Sequence, residues 1–280
     1  MKNGLATGGD LPCRTGRDRG SARGATFIIH PRHLWLPPGP KPRTFAQLNL
    51  ELRDALSKLG EQGPFVLVGH SYGGPAVRNF ATTYPHEVTG IVLVDASFEG
   101  QRVGIGGKEM RLGDGAKGRS VPPPHEDMEE SDKPVAKANT TPKAQQPLDP
   151  MYNVLPSVQQ KLQRWAQSLP EIEDAENSQR EWSGEYFAEW LATPQAGKLG
   201  SIPLVVLTRA EGGYSDGDYE IPAAQLEKER KEGQAKLTLL STNSKQVIVH
   251  SGHNMELQAS DDVTAAIREV IEAVRNHGKL

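Results

Sequence analysis

The sequence predicts an α/β fold with a mainly parallel sheet and flanking helices. Short, continuous apolar runs at residues 65–68, 91–94 and 203–207 are typical of strands that are buried on both faces. Residues 74–84 lie between the first two runs and have the pattern of a helix, with Pro75 tolerated in its first turn. A strand, a helix and a strand at this spacing indicate a βαβ unit, in which the two strands are parallel.

The segments around this unit complete the predicted sheet and its helices. A helix is expected from Thr44, a suitable N-cap, to Gly60, and its apolar residues recur on one face. A charged helix over 223–240 and a strand over 247–249 precede a final helix. The final helix has apolar residues at helical spacing, and it is predicted to bury Val263, Ile267, Val270, Ile271 and Val274.

Composition divides the chain into a core and two other segments. Residues 1–43 are rich in glycine, arginine and proline, so we expect them to be irregular or disordered, although residues 26–29 could form a short strand. The core is predicted to comprise residues 44–100 and 199–280. Residues 101–198 interrupt it, and we expect a cap or lid whose first half is low in complexity and whose second half is partly helical.

Composition and charge exclude several classes of function. The net charge of −3 gives no basis for nucleic-acid or membrane-surface binding, and no apolar stretch is long enough for a membrane span. The single cysteine, Cys13, excludes an internal disulfide, and the N-terminus does not match a signal peptide, so we expect a cytoplasmic protein. His30 and His33 lack neighbouring ligands at metal-site spacing, so no metal is expected.

A G-x-S-x-G pattern is present at Gly69-His70-Ser71-Tyr72-Gly73. It lies between a predicted buried strand and a predicted helix, which is the context that a nucleophile elbow requires. A sharp strand-to-helix turn would present the Ser71 hydroxyl above the edge of the sheet, with glycines where the backbone is crowded. The helix N-terminus would favour developing negative charge, and the N–H of Tyr72 would be an oxyanion donor. We therefore predict that Ser71 is a catalytic nucleophile.

A serine hydroxyl is a poor nucleophile unless a base takes its proton, so a histidine is needed near this turn. His253 lies in a loop between the last predicted strand and the final helix, where the chain order of a Ser–acid–His triad places the base. His250 is the alternative, but it directly ends the strand. We predict His253 as the base.

The acid that orients the base has more than one candidate. Asp95 ends the strand before the cap segment. Glu211 lies shortly beyond the strand that ends near Thr208, and Asp216 is further along the same loop. Both strand ends should open onto the same edge of the sheet. We favour Asp95 and keep Glu211 as the alternative.

From Thr44 onward the chain resembles the α/β-hydrolase family of esterases and related hydrolases that carry a cap. The segments that carry the resemblance are residues 65–74, 90–97 and 251–253. The resemblance implies a Ser–acid–His triad, no cofactor, and a cap formed by residues 101–198 that covers the site.

The resemblance also bears on individual residues. Some members place the acid at the position of Asp95, although the position of Glu211 is the more usual one. Haloalkane dehalogenases look similar but have an aspartate at the nucleophile position, so Ser71 argues against that activity. Aromatic residues of the predicted cap could line an acyl pocket or pack within the cap. The candidate substrate contacts are His70, Trp182 and Trp190.

The N-terminal side departs from the family pattern. Members usually have several strands before the nucleophile strand, one of which is followed by a His-Gly turn that supplies a second oxyanion N–H. Here Pro31, which has no N–H, follows His30, and the distance along the chain to Ser71 is short. We interpret this as N-terminal incompleteness, from truncation or a shifted reading frame. An exposed strand edge would then favour a homo-oligomer.

The predicted function is the hydrolysis of ester bonds in small acyl substrates through an acyl-enzyme. Ser71 would attack, His253 would transfer the proton, and Asp95 or Glu211 would orient His253. Weak activity is expected if one oxyanion donor is missing. Two alternatives stay open: an impaired or inactive relic of the fold that binds a ligand or partner, and an amidase or peptidase with the same triad.

Overall fold

The computed structural model of the chain describes residues 26–29, 44–105, 108–112, 147–168, 198–210, 212–217 and 219–280. The strands in these ranges are β1 (Thr26–Ile29), β2 (Phe65–His70), β3 (Val88–Val94), β4 (Arg102–Ile105), β5 (Lys108–Arg111), β6 (Leu204–Arg209) and β7 (Ser244–Val249). The helices are α1 (Phe45–Lys58), α2 (Gly73–Thr83), α3 (Ser157–Gln167), α4 (Ala223–Leu237), α5 (Met255–Gln258) and α6 (Ser260–Arg275). Short 3₁₀ turns lie at Pro85–Glu87, Pro150–Val154 and Thr238–Leu240.

A five-stranded sheet has the strand order β1–β2–β3–β6–β7, and every neighbouring pair in it is parallel. Helix α2 connects β2 to β3, which is the βαβ unit that the apolar runs predict. The prediction of an α/β fold with a mainly parallel sheet is confirmed. Because the strands all run in one direction, the loops that follow them leave from one edge of the sheet, which we call the carboxyl edge.

Side chains of the central strands alternate between two apolar clusters, one on each face of the sheet. The cluster packed against α2 and α4 contains Phe65, Leu67, Ile91, Leu93, Leu204, Val206, Val77, Phe80 and Leu237. The cluster packed against α6 contains Val66, Val68, Val92, Val94, Val205, Leu207, Val263, Ala266 and Val270. Full burial of one large aliphatic side chain contributes roughly 1.5–3 kcal/mol. A slip of one residue would exchange the two sets, so the apolar pattern fixes the register.

Helix α1 confirms the prediction for the segment after Thr44. The Thr44 hydroxyl accepts a hydrogen bond from the backbone N–H of Gln47 at 3.0 Å, as an N-cap does. The helix buries Leu48 and Leu56. The chain then leaves through Gly60, whose φ of +72° lies in the left-handed region that favours glycine.

Strand β1 belongs to the sheet, although the sequence places residues 1–43 outside the core. It pairs with β2 over its whole length, from Thr26 opposite Val66 to Ile29 opposite Gly69. The short strand that the sequence suggests at residues 26–29 is confirmed, and its place in the sheet becomes clear from its pairing with β2. The other residues of this segment, including His30, lie outside the described ranges.

Strand β7 is longer than the apolar run at residues 247–249 predicts. It begins at Ser244, which pairs with Leu204 of β6. In the described part of the sheet β7 pairs with β6 alone, and Ile248 is 56% exposed. A strand with one neighbouring strand is partly exposed and tolerates polar residues. The first half of β7 therefore does not stand out as an apolar run.

Parts of the segment predicted as a cap are described. β4 and β5 form an antiparallel pair, separate from the main sheet, in which Arg102 pairs with Arg111. Helix α3 accounts for the first part of the helical pattern that is predicted for the second half of the cap. The remainder of that pattern lies outside the described ranges.

Gly74 allows the first turn of α2 to pack closely against the chain after β3. A Cβ at Gly74 would overlap the Cβ of Ala96 and lie 3.7 Å from a methyl carbon of Leu93. We therefore expect Gly74→Ala to lower the free energy of unfolding by about 1–3 kcal/mol, as overpacking of a core does. Urea denaturation of the wild type and the variant measures this difference.

The matched control for this prediction is the double variant Gly74→Ala/Ala96→Gly. It removes the methyl group that the new Cβ would overlap, so it should recover most of the stability lost in the single variant, after correction for Ala96→Gly alone. A Gly74→Ala variant as stable as the wild type would contradict the close packing.

Candidate active site

The ends of four strands, with the loops that follow them, bring polar residues together at the carboxyl edge of the sheet. Ser71 follows β2, Asp95 follows β3, and Arg209 ends β6. His253 lies in the loop between β7 and α5. Because these strands are neighbours in the sheet, residues far apart in sequence come into contact at this edge.

The turn at Ser71 has the backbone geometry of a strained strand-to-helix turn. Ser71 has a φ of +52°, in the left-handed region that residues other than glycine rarely adopt. Its carbonyl accepts hydrogen bonds from Gly74 N at 3.0 Å and from Ser97 N at 2.9 Å. A Cβ at Gly69 would lie 2.6 Å from the carbonyl oxygen of Gly73, so the turn requires glycine there. The surrounding backbone therefore holds Ser71 between β2 and the N-terminus of α2.

Asp95 is held at the end of β3 and contacts His253. Its φ is +38°, and its backbone N–H donates to Leu207 O at 2.8 Å. Its Oδ2 accepts a hydrogen bond from Nδ1 of His253 at 2.6 Å. The Asp95 side chain is 4% exposed, whereas the His253 side chain is 39% exposed. The buried carboxylate of Asp95 thus contacts Nδ1 of a half-exposed imidazole. The second ring nitrogen, Nε2, is not part of this contact.

Two arginines lie against the Asp95 carboxylate. Arg209 Nη1 is 3.1 Å from Oδ2, and Arg230 Nη1 is 3.6 Å from Oδ1. Burial raises the pKa of Asp95, but the hydrogen bond from His253 and the charges of Arg209 and Arg230 act in the opposite direction. Together they hold the pKa of this carboxyl below its ordinary value. Asp95 is therefore ionised at neutral pH.

His70 contacts the His253 loop and does not line the cavity beside Ser71. It is 2% exposed, and its Nε2 is 2.8 Å from the backbone carbonyl oxygen of His253. The two imidazole rings pack with their centroids 4.5 Å apart, and Glu256 Oε2 lies 3.8 Å from His70 Nε2. The last side chain of β2 therefore lies in the packing between the sheet and this loop, and a role of His70 as a substrate contact stays a prediction.

A cavity of about 340 Å³ opens beside the turn, and Ser71, Tyr72, Asp95 and His253 all contribute to its wall. Burial raises the pKa of Tyr72, and the nearby Tyr219 adds to this effect, so the phenol stays neutral. The rest of the wall comes from the start of the predicted cap, the loop after β6, and α4. These contributions include Arg102, Val103, Tyr214, Tyr219, Arg230 and Gln234.

Sequence comparison decides the family. Residues 10–266 match the sequence model described as the alpha/beta hydrolase family. The chain belongs to the alpha/beta hydrolase family. No curated protein matches this hydrolase.

Several solved structures resemble the fold of this hydrolase at low sequence identity. An esterase from Thermogutta terrifontis is 19% identical, and the match covers 86% of this chain and 75% of that chain with a TM-score of 0.48. MenH from S. aureus is 14% identical, with coverage of 85% and 82% and a TM-score of 0.47. A meta-cleavage product hydrolase from Pseudomonas fluorescens is 12% identical, with coverage of 83% and 74% and a TM-score of 0.46. The family assignment rests on the sequence match.

The remaining candidate residues of the hydrolase either lie outside the described ranges or do not contribute to the cavity wall. Glu211, Trp182 and Trp190 lie outside the described ranges. His250, the alternative base, is exposed and does not contribute to the cavity wall. Asp216 accepts a hydrogen bond at 2.9 Å from the first backbone N–H of α4, so it acts as a helix cap.

Sequence reasoning missed the cationic and aromatic residues around Asp95. Arg209 lies at the end of a buried strand, which is the same signal that singles out Asp95. Arg230 could not have been found in this way, because it lies within a charged helix among many similar residues. Tyr214 and Tyr219 pack edge to face with their centroids 6.0 Å apart in the loop after β6.

Neither a metal centre nor a membrane span is found in the part of the hydrolase that the structure describes. No cluster of three or more His, Cys, Asp or Glu side chains is arranged there to hold a metal ion. None of the helices there is both long and apolar enough to cross a membrane.

Protonation of the Asp95 carboxylate in acid should lower the free energy of unfolding of the hydrolase. Its folded-state pKa is lowered, so its stabilising effect is complete above the unfolded-state pKa of about 3.9 and disappears as the pH falls through the folded-state value. Urea denaturation at a series of pH values below 5 should show the unfolding free energies of the wild type and Asp95→Asn converging. A difference that stays constant down to the lowest pH would contradict this assignment.

Proposed function

We propose that this alpha/beta hydrolase cleaves ester bonds of small acyl substrates through an acyl-enzyme on Ser71. The Ser71 hydroxyl attacks the ester carbonyl carbon while His253 accepts its proton. The tetrahedral intermediate collapses, and His253 returns the proton to the departing alkoxide. A water molecule then attacks the acyl-enzyme with His253 as the base, which releases the acid and regenerates Ser71.

Asp95 and Tyr72 have supporting roles in this proposal. Asp95 orients the His253 ring and stabilises the imidazolium that forms when His253 takes the proton. The backbone N–H of Tyr72, at the N-terminus of α2, donates to the developing oxyanion. In the family, a second donor comes from the turn after a neighbouring strand. β1 ends at Ile29, opposite Gly69, so it ends level with the turn that carries Ser71.

One observation carries the proposal. Asp95 Oδ2 accepts a hydrogen bond from His253 Nδ1 at 2.6 Å, and His253 shares a cavity wall with Ser71. A buried carboxylate, an imidazole and a serine on a strained turn are the groups that nucleophilic acyl transfer requires. Ser71 and His253 both line this cavity, so a carbonyl bound in it could lie near both residues.

The size and wall of the cavity support a small ester. A space of about 340 Å³ is at the lower end of ligand pockets, and its wall includes arginine, tyrosine and glutamine side chains. An alkoxide leaves a tetrahedral intermediate more readily than an amine does, so the same groups would cleave an ester more readily than the matched amide. Arg102 and Val103 on this wall support the proposal that residues 101–198 form a cap.

A panel of matched chromogenic substrates tests the function. The panel consists of p-nitrophenyl acetate, butyrate and octanoate, with p-nitroacetanilide as the amide matched to the acetate. We expect saturable release of p-nitrophenol, with kcat/KM falling as the acyl chain lengthens, and much slower release of p-nitroaniline. Faster cleavage of the anilide would indicate an amidase. No saturable turnover of any substrate by folded protein would favour a ligand-binding relic.

A further inference from the structure

We propose that Arg209 is a positioning residue, which holds the Asp95 carboxylate against His253 and sets the lower pH limit at which His253 can act as a base. This inference rests on the proposed function, because the limit is observed through catalysis. The group that carries it is a buried arginine that the Ser–acid–His scheme does not use.

The geometry links Arg209 directly to the atom that His253 uses. Oδ2 of Asp95 lies 2.6 Å from His253 Nδ1 and 3.1 Å from Arg209 Nη1, so one carboxylate oxygen serves both groups. The Arg209 side chain is 12% exposed, and its guanidinium lies over the ring of Tyr214, with 5.6 Å between the guanidinium carbon and the ring centroid. Its planar cation is thus held on two sides, and it restrains the rotation of the carboxylate.

Arg230 differs from Arg209 because it has a second carboxylate partner, Glu227. Arg230 donates to Glu227 through Nε at 3.0 Å and Nη2 at 2.5 Å, and it lies further from Asp95, at 3.6 Å. Among the described residues, Arg209 has Asp95 as its only ion-pair partner. Arg209 is therefore the cation whose charge is paired with Asp95 alone, through the oxygen that also contacts His253.

Charged and titratable groups face His253 from each element packed against its loop. They are Asp95 after β3, Arg209 of β6, Arg230 of α4, Glu256 of α5, His70 of β2, and Tyr214 and Tyr219 of the loop after β6. Asp95 favours the protonated imidazole, because the opposite charges attract. Arg209 offsets that attraction through the same oxygen, because two positive charges repel.

These charges determine the direction in which the acid limb of the kcat/KM profile should move when Arg209 is replaced. Without the Arg209 cation, the attraction between the Asp95 carboxylate and the imidazolium of His253 is no longer offset. Only the unprotonated imidazole can accept the Ser71 proton, so activity is lost at a higher pH on the acid side. We expect Arg209→Gln to move the acid limb of the kcat/KM profile upward by about one pH unit, which is about a tenfold loss well below the limb.

The test compares pH profiles of p-nitrophenyl acetate hydrolysis for the wild type, Arg209→Gln and Arg209→Lys. Arg209→Lys keeps the charge, so its acid limb should stay near that of the wild type. Arg53→Gln removes a half-exposed arginine of α1 that pairs with Glu87 away from the site, and it should leave the profile unchanged. If Arg209→Gln does not fold, Arg209→Met provides the neutral side chain. Unshifted limbs in the folded neutral variants, or equal shifts in Arg209→Lys and Arg209→Gln, would overturn the proposal.

A second readout separates this proposal from the proposed function. The Nδ1 proton of His253, shared with a carboxylate, should give a strongly deshielded proton resonance that disappears in Asp95→Asn. We expect this resonance to move or broaden in Arg209→Gln and to persist in Arg209→Lys. If the wild type hydrolyses no ester but the resonance depends on Arg209 in this way, the proposed function fails while the positioning of Asp95 stands. A resonance that is identical in Arg209→Gln and the wild type would contradict the positioning.

Discussion

Ser71→Ala is expected to lower kcat for ester hydrolysis by about 10⁴–10⁶-fold, because it removes the proposed nucleophile and leaves only binding and oxyanion stabilisation. The free energy of unfolding should change by less than about 0.5–1 kcal/mol, since the strained φ of +52° is imposed by the backbone around it and alanine meets the same strain. Hydrolysis of p-nitrophenyl acetate and labelling by a fluorophosphonate probe measure the two consequences of losing the hydroxyl. Urea denaturation checks that the fold is intact.

Ser97→Ala is the matched control for this prediction. Ser97 is also buried beside the cavity, and its backbone N–H donates to Ser71 O at 2.9 Å, a bond that survives the substitution. We expect Ser97→Ala to retain both labelling and turnover. Labelling of Ser71→Ala at the wild-type rate, or loss of labelling in Ser97→Ala alone, would show that Ser71 is not the nucleophile.

Asp95→Asn is expected to impair both catalysis and folding. The amide cannot stabilise the imidazolium of His253, so kcat should fall by about 10⁴-fold, the size that loss of a triad carboxylate has elsewhere. The same change leaves Arg209 and Arg230 beside a neutral group in a buried site. Removing one partner of a buried ion pair costs about 3–5 kcal/mol, and we expect a loss of this order in the free energy of unfolding. Enzyme assays at neutral pH and urea denaturation measure the two effects.

Glu211→Gln provides the comparison that decides between the two acids that the sequence leaves open. If Asp95 orients His253, Glu211→Gln should retain activity within a few-fold of the wild type. A large loss of kcat in Glu211→Gln, together with a small one in Asp95→Asn, would transfer the role to Glu211. Because Asp95→Asn is expected to be destabilised, its activity should be measured at a temperature where circular dichroism shows it folded.

The sheet is well predicted because its signals are local. The runs at 65–68, 91–94 and 203–207 are apolar without interruption because those strands are buried on both faces, and such runs are visible without knowledge of the fold. Strands β1 and β7 are predicted less well, because they lie at the ends of the described sheet, and each depends on one neighbouring strand for its pairing. Most residues of β7 are only partly buried, so its sequence does not show a long apolar run.

The same holds for the site: some of its residues could be predicted from their neighbours in sequence, and others depend on distant parts of the chain. Ser71 could be predicted from its own neighbours, because the crowded turn requires Gly69 next to it and because a strand and a helix flank it. The position of His70 could not be predicted, because its burial depends on the loop that carries His253, which is 183 residues away in sequence.

The sequence by itself determined the α/β fold and the turn that carries Ser71, because periodicity and backbone crowding act over a few residues, and the match to the family model determined the family. Only the tertiary structure brought Asp95, rather than another acid among the described residues, to within 2.6 Å of His253, and this contact joins residues 158 positions apart. It also brought Arg209 and Arg230 to the same carboxylate. The physical reason is the strand order: β3, β6 and β7 are neighbours in space but not all neighbours in sequence, so the electrostatic setting of the base depends on how the sheet assembles.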